Sequence, residues 1–89
     1  MSNDNIAIII DQAFERGYKR GYGEYADDMP KNDFPLSGEW AGESIPELIG
    51  DLLAKTTDDE HGHEICMAYE DGYSEGYDMA LVNEVMNLN

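Results

Sequence analysis

A ten-residue pattern that occurs twice constrains the fold of this 89-residue chain more than any other feature. Ala13-Phe14-Glu15-Arg16-Gly17-Tyr18-Lys19-Arg20-Gly21-Tyr22 matches Ala68-Tyr69-Glu70-Asp71-Gly72-Tyr73-Ser74-Glu75-Gly76-Tyr77, displaced by 55 residues. At helical spacing Phe14, Tyr18, Tyr22 and Tyr25 share one face, as do Tyr69, Tyr73 and Tyr77. Gly17 and Gly21 lie beside the first stripe, and Gly72 and Gly76 beside the second. A glycine inside a helix costs about 1 kcal/mol relative to alanine, so four of them need an offsetting gain. Close approach of two helix backbones supplies one. The repeat predicts a first and a last helix packed against each other through their Gly and Tyr faces.

The remaining residues fit around that pair as a single domain over 1–89. Helix one is expected from about Asn5 to Asp27, capped by Asn3 or Asp4. Pro30 and Pro35 bound an irregular, ordered loop that reaches Glu43, with Phe34, Leu36 and Trp40 as its apolar anchors. Ser44-Ile45-Pro46-Glu47 reads as a capping box with proline in the first turn. The helix it opens ends near Lys55 and buries Ile45, Leu48, Ile49, Leu52 and Leu53. Thr57-Asp58-Asp59-Glu60 reads as a second capping box, opening a helix to about Asn87. The expected class is all-α: two long helices packed through Gly and Tyr faces, one shorter helix and an ordered loop.

Charge narrows the function. Twenty Asp and Glu against five Lys and Arg leave −15 at pH 7. DNA, RNA and anionic lipid reward Lys and Arg, so direct binding to nucleic acid or membrane is not expected. The longest apolar run, Ile6 to Ile10, is too short to span a bilayer, and no basic segment precedes it as in a signal peptide. Cys66 is the only cysteine and cannot form an internal disulfide, which fits a reducing cytoplasm. The expected setting is cytoplasmic, bacterial or viral in context.

The acids are unevenly placed. Residues 1–22 are neutral overall, with Asp4, Asp11 and Glu15 against Arg16, Lys19 and Arg20, whereas residues 56–89 carry nine acids and no Lys or Arg. On a helical wheel Glu60, Glu64, Asp71, Glu75 and Asp78 fall within a sector about 60° wide, opposite the Tyr face. That row is about 27 Å long. Like charges at i,i+4 repel, and no interspersed lysine relieves them. A cationic groove shaped for the closely spaced phosphates of a duplex would attract such a row. The loop acids Asp27, Asp28, Asp33, Glu39 and Glu43, or a second subunit, would extend it, and exposed Tyr or Trp40 would supply aromatic contacts.

In its small size, acidity, helicity and lack of active-site chemistry the chain resembles phage-encoded anti-defence proteins, both DNA-mimic anti-restriction proteins and anti-CRISPR proteins. The resemblance covers the whole chain in character and no motif carries it, so no residue role is transferred. It implies a non-enzymatic inhibitor that binds the basic, nucleic-acid-binding surface of a CRISPR effector or restriction enzyme. A rival reading starts from Arg16, Lys19 and Arg20, which occupy the repeat positions of Asp71, Ser74 and Glu75. If both charged faces point outward, the basic face of one subunit meets the acidic face of another, giving a homodimer or a self-assembling adaptor.

Catalytic chemistry finds little support. His61, His63 and Cys66 are close in sequence, but zinc sites draw ligands from separated segments and no other His or Cys exists. The histidines are expected to flank the helix start, and Cys66 to sit on the Tyr69 and Tyr73 stripe. Gly42-Glu43-Ser44-Ile45-Pro46 lacks the second glycine of a nucleophile elbow. No cofactor, metal or enzymatic activity is expected.

Overall fold

The computed structural model describes residues 3–55 and 61–87. It is predominantly helical, with α1 over Asn3–Ala26, α2 over Ile45–Ala54 and α3 over Gly62–Asn87. A hairpin of two short strands, β1 (Glu39–Trp40) and β2 (Glu43–Ser44), interrupts the loop. The long helices pack as expected, through the glycines. A methyl group on Gly17 would lie under 3.0 Å from the Tyr69 carbonyl and the Tyr73 amide, and one on Gly21 equally near the Tyr73 carbonyl and the Tyr77 amide. Gly72 stands in the same relation to Phe14, and Gly76 to Tyr18.

Two features follow from those contacts. Residue numbers rise together along both helices, so α1 and α3 are parallel. Tyr69 and Tyr73 are the repeat equivalents of Phe14 and Tyr18, so a pseudo-two-fold axis along the seam exchanges the copies. Membrane helices use the same four-residue glycine spacing to bring backbones together, yet none of the described helices is long and apolar enough to cross a membrane. At such separations a glycine Cα–H reaches the facing carbonyl oxygen as a weak donor.

A parallel pair cannot be joined by a tight turn. α1 runs about 36 Å, and residues 27–61 must return along it before α3 begins. The return covers one side of the pair and builds the core there. Ile9 and Ala13 of α1, Ile65, Ala68 and Tyr69 of α3, and Ile45, Leu48 and Leu52 of α2 form one buried cluster. Ile10, Leu36, Trp40, Ile49 and Leu53 pack partly buried against it.

The end of α1 is set by backbone geometry. Asp28 adopts a left-handed conformation, φ 62°. The Met29 amide donates to the Glu24 carbonyl at 2.9 Å and the Asp28 amide to that of Tyr25 at 3.0 Å. This is a Schellman stop with aspartate in the place glycine usually takes. The hairpin turn, Ala41-Gly42, has positive φ at both residues, 57° and 80°, as a type I′ turn requires. The Ile45 amide, bonded to the Gly38 carbonyl at 3.0 Å, ties the hairpin to the start of α2.

Several local expectations need correction. α1 is described from Asn3, so Asn3 and Asp4 fall within the helical range and not ahead of it. Ser44 occupies the N-cap position of α2 without a side-chain cap bond. There the Gly38–Ile45 backbone bond helps fix the entry. Phe34 is 73% exposed and anchors nothing, whereas the neighbouring Pro35 is buried. The Thr57-Asp58-Asp59-Glu60 cap lies outside the described residues.

Candidate functional site

The five cations determine how negative the exterior can be, and three are engaged internally. Arg20 is 4% exposed. Its Nε donates to Glu24 Oε2 at 2.9 Å, and its Nη1 donates to the Pro35 carbonyl and, at 3.3 Å, to that of Ser37. The guanidinium also sits 5.8 Å from the Tyr73 ring centroid. Burial pulls its pKa down, but the bond to Glu24 and the nearby Tyr69 hydroxyl outweigh that pull and raise it, so Arg20 stays charged. Arg16 pairs with Glu43 at 2.8 Å. Lys31 pairs with Asp78 at 3.5 Å, donates to Ser74 Oγ at 3.0 Å and lies 5.9 Å from the Tyr77 ring centroid. Among the described residues only Lys19 and Lys55 are cations without an ion pair. The outward basic face expected from Arg16, Lys19 and Arg20 is therefore reduced: Arg16 and Lys19 are exposed, whereas Arg20 is buried and bridges α1 to the loop.

The acidic row is partly recruited as well. Asp78 holds Lys31, and Glu64 bonds His61 Nδ1 at 2.7 Å. Asp71 and Glu75 are exposed and make no ion pair among the described residues. Asp27 and Asp28 are exposed at the end of α1, and Glu60 lies outside the described residues. Trp40 is half-buried, with its indole against Gly23 where a methyl group would collide. His63 is exposed. Cys66 is half-buried, and burial, reinforced by Glu70, pushes its thiol pKa up, away from reactivity.

The two aromatic ladders have different fates. Tyr69 and Tyr73 are completely covered, and Tyr77 donates to the Met29 carbonyl at 2.6 Å. Tyr73 donates to Glu24 Oε1 at 2.5 Å and accepts from the Asn32 amide at 2.7 Å. The Tyr69 hydroxyl is buried without a hydrogen bond of normal geometry. The ladder of the first copy is open. Phe14 and Tyr22 are each 37% exposed, and centroids along Phe14, Tyr18 and Tyr22 are 6.3 Å apart. Asn83 Nδ2 donates to the Tyr22 hydroxyl at 2.8 Å and fixes its end.

Alkaline pH should weaken this arrangement. Burial, helped by the bond to Glu24, pushes the Tyr73 phenol up to about 12. The bond to Glu84, helped by burial, does the same for Tyr25. An unfolded tyrosine loses its proton near 10, so between pH 10 and 12 the unfolded state binds fewer protons and stability falls as pH rises. The stabilisation is complete below pH 10 and lost through 12. Urea midpoints measured from pH 8 to 12 should be flat and then drop, with Tyr73 contributing of order 2 kcal/mol. Tyr73→Phe should shallow the drop.

Sequence reasoning missed the buried Glu24 and the open ladder. The first was marked by spacing, since Ile9, Ala13, Arg20 and Glu24 continue one helical stripe. Comparison with protein-family models, with curated proteins and with solved structures returns no match.

Proposed function

We propose that this protein is a non-enzymatic inhibitor that binds a basic, nucleic-acid-binding surface of a bacterial defence nuclease, a CRISPR effector or restriction enzyme, and competes there with DNA. The observation that carries this reading is the internal use of cations. Arg16, Arg20 and Lys31 each serve a fold contact, so the clustered bases of α1 do little to break a negative exterior. Shape agrees. The molecule measures 49 × 24 × 19 Å, a rod longer than one turn of duplex, about 34–36 Å. Exposed acids occur on α1, the loop, α2 and α3, so a duplex-like footprint does not depend on one helix.

The test is capture of binding proteins from bacterial lysate, eluted with duplex DNA and separately with salt. Release of a nuclease or CRISPR subunit by DNA is the expected result. Asp71→Lys with Glu75→Lys should lower capture about tenfold or more while helicity is retained, because like charges facing each other across an interface are strongly unfavourable. Asp78 is left alone because it holds Lys31. Unchanged capture by the double variant would remove the electrostatic claim. The alternative, a self-assembling adaptor, rests on the apolar end of α3, where Leu81, Val82, Val85 and Met86 are 44–65% exposed. Recovery of the protein alone, with a concentration-dependent size, would favour it.

A further inference from the structure

We infer that the uncovered side of the helix pair, built from Phe14, Tyr18, Tyr22, Asp71 and Glu75, docks a partner segment that presents two basic side chains about 6 Å apart. The inference rests on the proposed function and names the surface through which the basic partner is held.

The pseudo-two-fold axis makes each side of the pair a counterpart of the other, and one side shows its occupant. On the covered side the returning loop brings oxygen atoms to the α1 cations. The Glu43 carboxylate meets Arg16, and the Pro35 and Ser37 carbonyls meet Arg20. Advancing by 55 residues turns Arg16 into Asp71, Arg20 into Glu75 and Glu24 into Met79. The aromatic partner of Arg20, Tyr73, becomes Tyr18. The uncovered side is thus a charge-inverted copy of an occupied docking surface. Where the covered side takes carboxylate and carbonyl oxygens, this one takes cations.

The surface is prepared for that role. Phe14 and Tyr22 are 37% exposed and Met79 is 39% exposed, giving apolar area on the ring ladder and one turn beyond Glu75. The Asn83 bond holds Tyr22 before any partner arrives, so less side-chain freedom is lost on docking. Arg20 on Tyr73 shows within the same molecule that a guanidinium beside a carboxylate seats on such a ring. A second copy is a poor occupant, because it would bring another −15 toward Asp71 and Glu75.

The probe is an 18-residue helical peptide with arginine at positions i and i+4 between leucines, titrated into the full chain and followed by NMR. Shifts should concentrate at Phe14, Tyr18, Tyr22 and Met79. Replacing both arginines by neutral citrulline should weaken binding about tenfold or more. Tyr18→Leu, which removes the ring, and Glu75→Gln, an exposed change that leaves packing alone, should each do so too. Shifts confined to α2 or to the end of α3 would overturn the inference, as would affinity unchanged in both variants. Self-association abolished by Tyr18→Leu would also overturn it, by making a second copy the occupant. The two readings fail separately. Lysate capture releasable by DNA and unaffected by Tyr18→Leu would sink this surface alone. Peptide binding at the ladder without DNA-releasable capture would sink the nuclease target alone.

Discussion

Gly17→Ala should destabilise the protein by about 2–3 kcal/mol, although the same change in a free helix would stabilise it. Intrinsic propensity favours alanine over glycine by about 1 kcal/mol. Here the added methyl would lie under 3.0 Å from the Tyr69 carbonyl oxygen and the Tyr73 amide nitrogen, both backbone atoms. A side chain can rotate away, but a helix backbone cannot. Relief requires the two helices to move apart, which loosens every contact along the seam. Because the axis exchanges the copies, Gly72→Ala should cost nearly as much as Gly17→Ala, and Gly21→Ala should match Gly76→Ala. Gly50 provides the control of opposite sign. It lies inside α2 with nothing within 4 Å of the place an added methyl would take, so Gly50→Ala should stabilise by about 0.5–1 kcal/mol. Urea unfolding followed by helical circular dichroism reads all five. A chain of this length has about 4–13 kcal/mol in total, so Gly17→Ala with Gly72→Ala should leave little folded protein. Equal small gains at all five sites would mean that the helices do not touch through these glycines.

The long helices were legible because glycine is a poor helix former whose repeated placement beside aromatic stripes has few explanations. Their parallel sense was not legible in the repeat, because a two-fold axis perpendicular to the helices would pack the same copies antiparallel. A motif that packs on its own copy about a two-fold axis along the seam puts both chains in the same direction. The hairpin stayed hidden because its turn is Ala41-Gly42, and alanine at a positive-φ position gives no signal comparable to Asn-Gly or Asp-Gly. The basic patch misled because burial changes within one helix face. Arg16 and Arg20 are i,i+4 neighbours, but the returning loop covers Arg20 and leaves Arg16 and Lys19 exposed. Glu64, Asp71, Glu75 and Asp78 were legible as a helix face. The capture of Lys31 by Asp78 was not, because it depends on where a 35-residue return passes α3. Cover on one aromatic ladder and exposure of the other depend on that same path, which no local pattern encodes.

Removing either member of the Arg20–Glu24 pair should cost about 3–5 kcal/mol, the range for leaving one buried charge uncompensated. Both side chains are nearly inaccessible, at 4% and 3%, so water cannot replace the missing partner. Arg20→Met strips donors from the Pro35 and Ser37 carbonyls and leaves Glu24 with only the Tyr73 hydroxyl. Glu24→Leu leaves the guanidinium facing neutral oxygens and deprives Tyr73 of its acceptor. The double replacement should cost less than the sum of the singles, because a buried ion pair exchanged for apolar groups of similar volume is often close to neutral. A double-mutant cycle on urea stability should return a coupling of about 2 kcal/mol or more. The damage should also be localised. Arg20 is the link from α1 to residues 35–37, so hydrogen exchange at the Ile45 amide, bonded to Gly38, should accelerate more than at amides of the glycine seam. Strict additivity of the two substitutions would mean that the pair is incidental. Coupling with loop-specific opening would identify it as the clasp that holds the cover on one ladder. Among the described residues no such clasp stands on the other side, and that leaves Phe14, Tyr18 and Tyr22 available to a partner.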